Sequence, residues 1–401
     1  MDCAGVPEIG IDEWVKALLP RWTERLPLMG SLELTYRCNL DCVQCYCNLS
    51  PNDQEARSQE LSPVEIRDLI DQMAEEGCLW LLLTGGEPLL RPDFLEVYAH
   101  AKKAGMLVTL FTNGTLVSAE VADYLAEWPP RKVEVTLHGV TRETFESVTR
   151  VAGSYDRCMR GIELLLERGV PLNLKTTVTT LNKHELWATK EYAERLGVEY
   201  RFDGLLIPRL NGSRAPYSVR LAPEELVGLD LQDQERSQAL EKVFPQLWGP
   251  QLEDVLYVCG AGKRSFHIDP TGRLSLCIMN RAHMFDLRER GFGAAWHEFI
   301  PAVHSLKSEG AVKCRTCPIV SLCGQCPSWS YLEHGDLETP VEYLCSLANR
   351  RAEAFGPGYQ KEESEDETPH LQEAVCEADA HESQAQRGAP CASGVSKSDR
   401  V

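Results

Sequence analysis

Apolar and β-branched residues gather in short runs at 31–36, 79–84, 106–111, 132–137, 172–178 and 199–207, and the stretches between them repeat their apolar positions with helical period. A short apolar run bounded by turn residues reads as a strand and a period of about 3.6 residues reads as a helix, so the chain repeats a βα unit. The first helix has a written start: Ser62 caps it, Pro63 takes the first helical position and Glu65 completes a capping box, with a stop expected before Gly77. Further helices are expected at 92–104, 118–128, 156–168 and 183–196, three of them closed by Gly105, Gly169 and Gly197. Six strands joined by crossover helices predict an α/β fold: a parallel sheet curled into an open partial (β/α)6 barrel, with ligands at the strand C-terminal ends.

After Gly249 the pattern changes to short strands and cysteine-rich loops, and after Gly356 it changes again. Residues 360–367 are nearly all charged or polar, and residues 368–401 lack aromatics, so 357–401 read as a disordered acidic tail. The expected division is an extension over 1–30, the barrel over 31–240, a cysteine-rich domain over 250–350 and the tail. With 401 residues and 43% hydrophobic content the chain can bury a large core beside a smaller one. A formal net charge of −19 speaks against nucleic acid as a partner, because holding phosphates needs clustered Lys and Arg. The apolar runs fall well short of the roughly 20 residues that span a bilayer, and Met1-Asp2-Cys3 opens no signal peptide. A cytoplasmic protein with no membrane partner is expected.

Sixteen cysteines in that compartment argue for metal, since cytosolic reductants keep thiols reduced. One group lies at 38–47 and another at 259–345, while Cys3, Cys78, Cys158, Cys376 and Cys391 are scattered and read as small buried hydrophobes or tail residues. Cys38-Asn39-Leu40-Asp41-Cys42-Val43-Gln44-Cys45 is a CxxxCxxC directly after the first strand. Three thiolates on one short loop can hold three corners of a cubane and leave one iron open. A closed zinc site with Cys47 as fourth ligand is the competing reading of these residues alone. Thr84-Gly85-Gly86-Glu87-Pro88, at the end of the second strand, weighs against zinc. Paired glycines let the backbone approach a ligand closely, and Glu87 offers a carboxylate to an ammonium group.

Together, CxxxCxxC and GGEP at adjacent strand ends resemble the radical S-adenosylmethionine (SAM) superfamily over roughly residues 28–240. The resemblance implies that Cys38, Cys42 and Cys45 hold a [4Fe-4S] cluster whose open iron is chelated by SAM, that Gly85, Gly86, Glu87 and Pro88 line the methionine moiety, and that Glu87 accepts from its ammonium. It also implies reductive cleavage of SAM to a 5′-deoxyadenosyl radical that abstracts hydrogen from a substrate, with the barrel orienting the cofactors and excluding water. Asn113 in Thr112-Asn113-Gly114 and Arg150 resemble SAM-contacting regions of relatives, with turn chemistry and a surface charge as their competing readings, and Thr136 at the fourth strand end is placed to reach the SAM ribose or methionine end. Two features depart from the pattern. Gln44 stands where relatives carry an aromatic side chain against adenine, with Tyr46 as a substitute, and Thr136-Leu137-His138-Gly139 replaces a Ser-x-Asp-Gly. His138 at a barrel mouth is a candidate catalytic group able to move a proton, or a polar rim residue.

Cys259-x12-Gly272-x4-Cys277, then Cys314-x2-Cys317-x5-Cys323-x2-Cys326 and Cys345, resemble the SPASM domain, which adds two auxiliary [4Fe-4S] clusters to radical SAM maturases. The match departs at the fifth and sixth cysteines, where Gly324 and Gln325 replace the usual three residues. By that resemblance Cys314, Cys317, Cys323 and Cys345 close one cluster, and Cys259, Cys277 and Cys326 hold the other with its fourth ligand unassigned. A pair of zinc sites is what the CxxC pairs would suggest on their own.

The function this implies is oxidoreductase chemistry in the maturation of a ribosomally made peptide or protein. Small-molecule cofactor biosynthesis is the alternative within enzymes, and a non-catalytic iron–sulfur carrier the alternative outside them. Residues 1–30 are too few for a fused peptide-recognition domain, so the leader of a peptide substrate is expected to bind elsewhere on the chain or through a separate recognition protein, and an electron donor such as flavodoxin or ferredoxin is expected.

Overall fold

The structure, a computed structural model, describes residues 25–47, 49–250, 254–308 and 312–356. Cys3, Cys376, Cys391, most of the expected N-terminal extension and all of the expected tail lie outside the described residues. No helix among the described residues is long and apolar enough to cross a membrane.

The expected strands form as β1 (Met29–Glu33), β2 (Trp80–Thr84), β3 (Leu107–Thr112), β4 (Lys132–Thr136), β5 (Leu172–Thr177) and β6 (Glu199–Asp203). They pair in parallel in the order β6-β5-β4-β3-β2-β1. β1 begins earlier and stops sooner than its apolar run, because Thr35 and Arg37 turn their carbonyls to the backbone of the GGEP turn: Gly86 N–H donates to Thr35 O at 2.6 Å and Glu87 N–H to Arg37 O at 2.9 Å. β6 also stops early, where Asp203 Oδ1 accepts from Leu205 N at 2.9 Å and the chain turns away at Gly204.

The C-terminal segment joins this sheet directly. β7 (Ser265–Ile268) pairs parallel to β1, and β8 (Arg273–Ser275) and β9 (Phe285–Asp286) continue antiparallel, which makes nine strands in one open sheet. Neither the sheet position of β7 nor its pairing partner was readable from its short apolar run.

Helices cover one face. Pro63–Glu75 has the expected cap, Ser62 Oγ accepting from Glu65 N and the Glu65 carboxylate from Ser62 N, and its Ile66, Leu69, Ile70 and Met73 are buried. Phe94–Lys103, Ala119–Glu127, Ser154–Glu167 and Leu186–Leu196 follow near their expected places, the last preceded by a short 3-10 turn at Lys183–Glu185. Arg142–Thr149 is an additional helix, capped by Thr141 and ended by Arg150 in the left-handed region (φ 57°). Strand side chains alternate accordingly. Leu81, Leu83, Val108, Leu110, Val133 and Val135 are buried under the helices, in one core with Cys78 and Cys158, the small hydrophobes expected of those two. The other face carries polar residues, where Glu134 Oε2 meets Arg201 Nη2 at 2.6 Å and Lys175 Nζ at 3.8 Å over the Phe111 ring. A second core packs Leu226, Trp329, Leu344 and Leu347 of the C-terminal helices.

One buried ion group locks the start of the cysteine loop. Glu60 accepts from Arg37 Nε at 2.8 Å and Nη2 at 2.9 Å and lies 3.5 Å from Arg91 Nη1, with all three side chains under 10% exposed. Removing one member of such a group leaves uncompensated buried charge, which costs about 3–5 kcal/mol. Glu60→Ala is therefore expected to lower the unfolding free energy of the protein by about that amount in anaerobic urea titrations. A loss under about 1 kcal/mol would mean that solvent already shares this site.

Candidate functional site

The cysteine loop is closed on itself and docked on two elements. Cys38 N–H donates to Leu49 O at 2.9 Å, while Asp41 N–H and Val43 N–H donate to Thr149 O and Val148 O at 3.0 and 3.1 Å, the last carbonyls of Arg142–Thr149. Cys38, Cys42 and Cys45 become neighbours. Burial pushes the Cys38 thiol up to about 12, with Glu87 and Cys45 adding to it, and burial followed by Cys45 and Cys38 raises Cys42. Such thiols keep their protons in a dry site unless a metal replaces them, because a coordinating thiol is deprotonated outright. Among the described residues, no three His, Cys, Asp or Glu side chains converge tightly enough for one metal ion. In a cubane each corner iron takes its own thiolate, a wider arrangement than a single tetrahedral ion requires. Cys47 Sγ lies 3.9 Å from Cys45 Sγ.

The GGEP turn lies against this loop. A Cβ on Gly86 would come 2.2 Å from Arg37 O, and one on Gly85 (φ 141°) 2.3 Å from Thr35 O, so only glycine lets the two backbones meet. Glu87 is fully buried. Its Oε1 accepts from Thr112 Oγ1 at 2.8 Å and Leu89 N at 3.1 Å, and its Oε2 from Asn113 N at 2.8 Å. Two carboxylate oxygens have about four acceptor sites, so one remains for a ligand donor. Burial pushes Glu87 up to about 7, and a ligand ammonium would favour its ionised form. Asn113 Nδ2 donates to Cys38 Sγ at 3.6 Å and to Asn39 Oδ1 at 2.9 Å, which ties the third strand end to the loop.

Thr136 is half-buried and in register with Lys175. Arg150 lies at the surface with Nη1 3.8 Å from Asp41 Oδ2 of the loop. His138 is 4% exposed, with Nε2 4.0 Å from Cys42 Sγ and its ring 5.8 Å from that of Phe145. Burial and then the neighbouring Lys175 push it down to about 4, so the ring is neutral. Tyr46 is partly exposed, with its hydroxyl turned inward. Its hydroxyl donates to Glu33 Oε1 at 2.7 Å beneath the loop, and Glu33 Oε2 lies 3.2 Å from His267 Nε2 of β7. Sequence reasoning missed this buried chain, whose members come from three distant segments.

Four of the C-terminal cysteines line one cavity of about 110 Å³: Cys314, Cys317, Cys323 and Cys345. A hydrogen bond with Cys345, then burial, raises Cys323. Cys259, Cys277 and Cys326 gather separately, and burial followed by Cys326 pushes Cys277 up to about 11. Tyr257 stands over this second group, its hydroxyl 3.1 Å from His283 Nδ1. A larger cavity of about 740 Å³ lies at the other end of the sheet, by the N-terminal ends of the strands, lined by Leu28, Trp80, Lys132 and Arg201 among others.

Residues 32–194 match the Radical SAM superfamily. These residues form a radical SAM domain, the domain of a superfamily whose enzymes use SAM and a [4Fe-4S] cluster. Over 334 residues the chain is 26% identical to the AdoMet-dependent heme synthase of Methanosarcina barkeri, covering 77% of this chain and 94% of that protein. It is 29% identical over 328 residues to the mycofactocin maturase MftC of Mycobacterium ulcerans, covering 78% and 86%. In fold it resembles Streptococcus suis SuiB bound to its precursor peptide SuiA, with a TM-score of 0.63, 15% identity and coverage of 82% of this chain and 78% of that one.

Glu87→Ala is expected to weaken SAM binding by about 1.5–3 kcal/mol, roughly 10- to 150-fold in Kd, with the iron content unchanged. Equilibrium binding to the anaerobically reconstituted variant reads this directly. An unchanged Kd would mean that Glu87 only braces the Thr112-Asn113 turn.

Proposed function

We propose that this enzyme matures a ribosomally made peptide or protein and carries three [4Fe-4S] clusters. The observation that carries the reading is the likeness to a maturase, MftC, over 78% of the chain, together with two further cysteine groups beyond the radical SAM domain. The fold shared with SuiB, solved with a precursor peptide, supports the same substrate class.

In this reading Cys38, Cys42 and Cys45 hold the first cluster, Cys314, Cys317, Cys323 and Cys345 the second, and Cys259, Cys277 and Cys326 the third. The first cluster with bound SAM supplies the one-electron cleavage that yields a 5′-deoxyadenosyl radical. The chain's own residues do the positioning. Glu87 accepts from the SAM ammonium with its free lone pair, Gly85 and Gly86 let the backbone close on it, and Thr136 at the end of β4 and Arg150 at the end of the helix Arg142–Thr149 contact the cofactor. Asn113 orients Cys38 from the same side. Lys175, Glu134 and Arg201 form a charged layer across the inner face of the sheet and hold its strands in register beneath the reacting groups. An external electron donor such as flavodoxin or ferredoxin and a separate peptide-recognition protein complete the system.

The likeness to heme synthase over 94% of that protein favours a second reading, synthesis of a small-molecule cofactor. The two separate in one experiment. The enzyme, reductant and SAM are incubated with any short peptide encoded beside its gene, or with an iron tetrapyrrole precursor and assayed for haem formation. A mass change in the peptide supports maturation, and haem without peptide change overturns it.

Reconstituted protein is expected to bind about twelve irons, four for each cubane. Replacing Cys38, Cys42 and Cys45 by Ala together should leave about eight and abolish SAM cleavage. Tightly held zinc with negligible iron would defeat the cluster assignment. Cys326→Ala should still form 5′-deoxyadenosine while losing product, because SAM cleavage belongs to the first cluster. Loss of both on a fully loaded first cluster would give the third a structural role instead.

A further inference from the structure

His138 replaces the acidic residue expected at this strand end, and its surroundings define what it can do. Both neighbours of its backbone are pinned. Leu137 N–H donates to Lys175 O at 2.8 Å, Leu137 O accepts from Thr176 Oγ1 at 2.6 Å, and Val140 N–H donates to Glu185 Oε2 at 2.7 Å. A Cβ on Gly139 would come 2.7 Å from both Glu185 Oε2 and Thr144 Cγ2, so this turn has no slack. The ring packs on Phe145 of Arg142–Thr149, and the last carbonyls of that same helix hold the backbone on either side of Cys42. One helix thus sets the imidazole and the thiol against each other.

The partners of the buried ring also settle which nitrogen donates. Nδ1 has no partner, whereas Nε2 faces Cys42 Sγ at 4.0 Å. Placing the proton on Nδ1 would bury an unsatisfied N–H, so the proton resides on Nε2, where sulfur accepts it.

We propose that His138 is a positioning residue that donates its Nε2–H to the Cys42 thiolate and thereby raises the reduction potential of the cluster bound there. This rests on the reading of Cys42 as a cluster ligand. Hydrogen bonds to cluster sulfurs favour the reduced, more negative state, and the donors around a metal ligand tune it as the ligands themselves do. Cys38 already has two donors, Asn113 Nδ2 at 3.6 Å and Leu40 N at 3.4 Å. His138 supplies the corresponding donor at Cys42.

The test is a redox titration of the full-length, fully loaded enzyme, following the EPR signal that changes when SAM is added. In His138→Phe, which keeps a ring but loses the donor, the reduced-to-oxidised ratio at a set potential should fall about tenfold, 59 mV for one electron. His138→Gln, which restores an N–H, should recover most of it. In the wild-type enzyme labelled with 15N-histidine, pulsed EPR of the same signal should show coupling to a histidine nitrogen. That measurement stands even when the Phe variant does not assemble. An unmoved potential in His138→Phe, or no histidine coupling in the wild type, overturns the inference. Absence of any SAM-sensitive signal in loaded wild-type protein would overturn the cluster assignment instead.

Discussion

The backbone at Gly85 and Gly86 lies in van der Waals contact with the backbone at 35–37, and the site is built on that approach. Two main-chain hydrogen bonds, from Gly86 to Thr35 and from Glu87 to Arg37, replace the ladder that β1 would otherwise have continued. Any side chain at Gly86 would overlap Arg37 O. Because β1 ends there, the chain leaves the sheet at the one place where Cys38 comes beside Glu87. Arg37 is turned at the same point toward Glu60. A buried guanidinium is tolerable only when paired, so the Glu60 contact and the loop path are one arrangement.

The C-terminal segment is tied into this arrangement by polar contacts as well as by the β1–β7 pairing. Arg281, four residues after Cys277, donates to the Tyr36 hydroxyl at 2.7 Å and lies 3.2 Å from Asp269. Tyr36 is two residues before Cys38. His267 of β7 in turn reaches Glu33, which accepts from Tyr46 next to Cys45. The segments carrying Cys277 and the first cysteine loop therefore share side-chain partners at both ends of that loop. Contacts of this kind are directional, and breaking one strands a buried polar group, so they hold the two regions at a fixed separation.

Features governed by residues a few positions apart were legible in the sequence. The Ser62–Glu65 box, the left-handed glycines after the helices, the period of the six strands and the spacing of CxxxCxxC and GGEP all depend on local geometry, and the fold class follows from them. Which of the C-terminal cysteines share a site was implied by the resemblance to the SPASM domain, not by their spacing alone. Cys314, Cys317, Cys323 and Cys345 do line one cavity.

What only the tertiary structure decided depends on segments far apart in the chain. Arg142–Thr149 is short and carries few apolar residues, so its period is faint, yet its C-terminal carbonyls dock the cysteine loop. β7 could have paired anywhere a parallel edge was free, and its place beside β1 follows from the whole sheet. Glu87 was readable as a carboxylate near a ligand, but its bonds to Thr112 and Asn113 required β2 and β3 to end side by side. His138 read as a proton carrier or a rim residue until burial, an unpartnered Nδ1 and the Cys42 sulfur were brought together around it. A side chain's chemistry is written in the sequence, but its protonation and its partner are set by what the fold removes from water and places beside it.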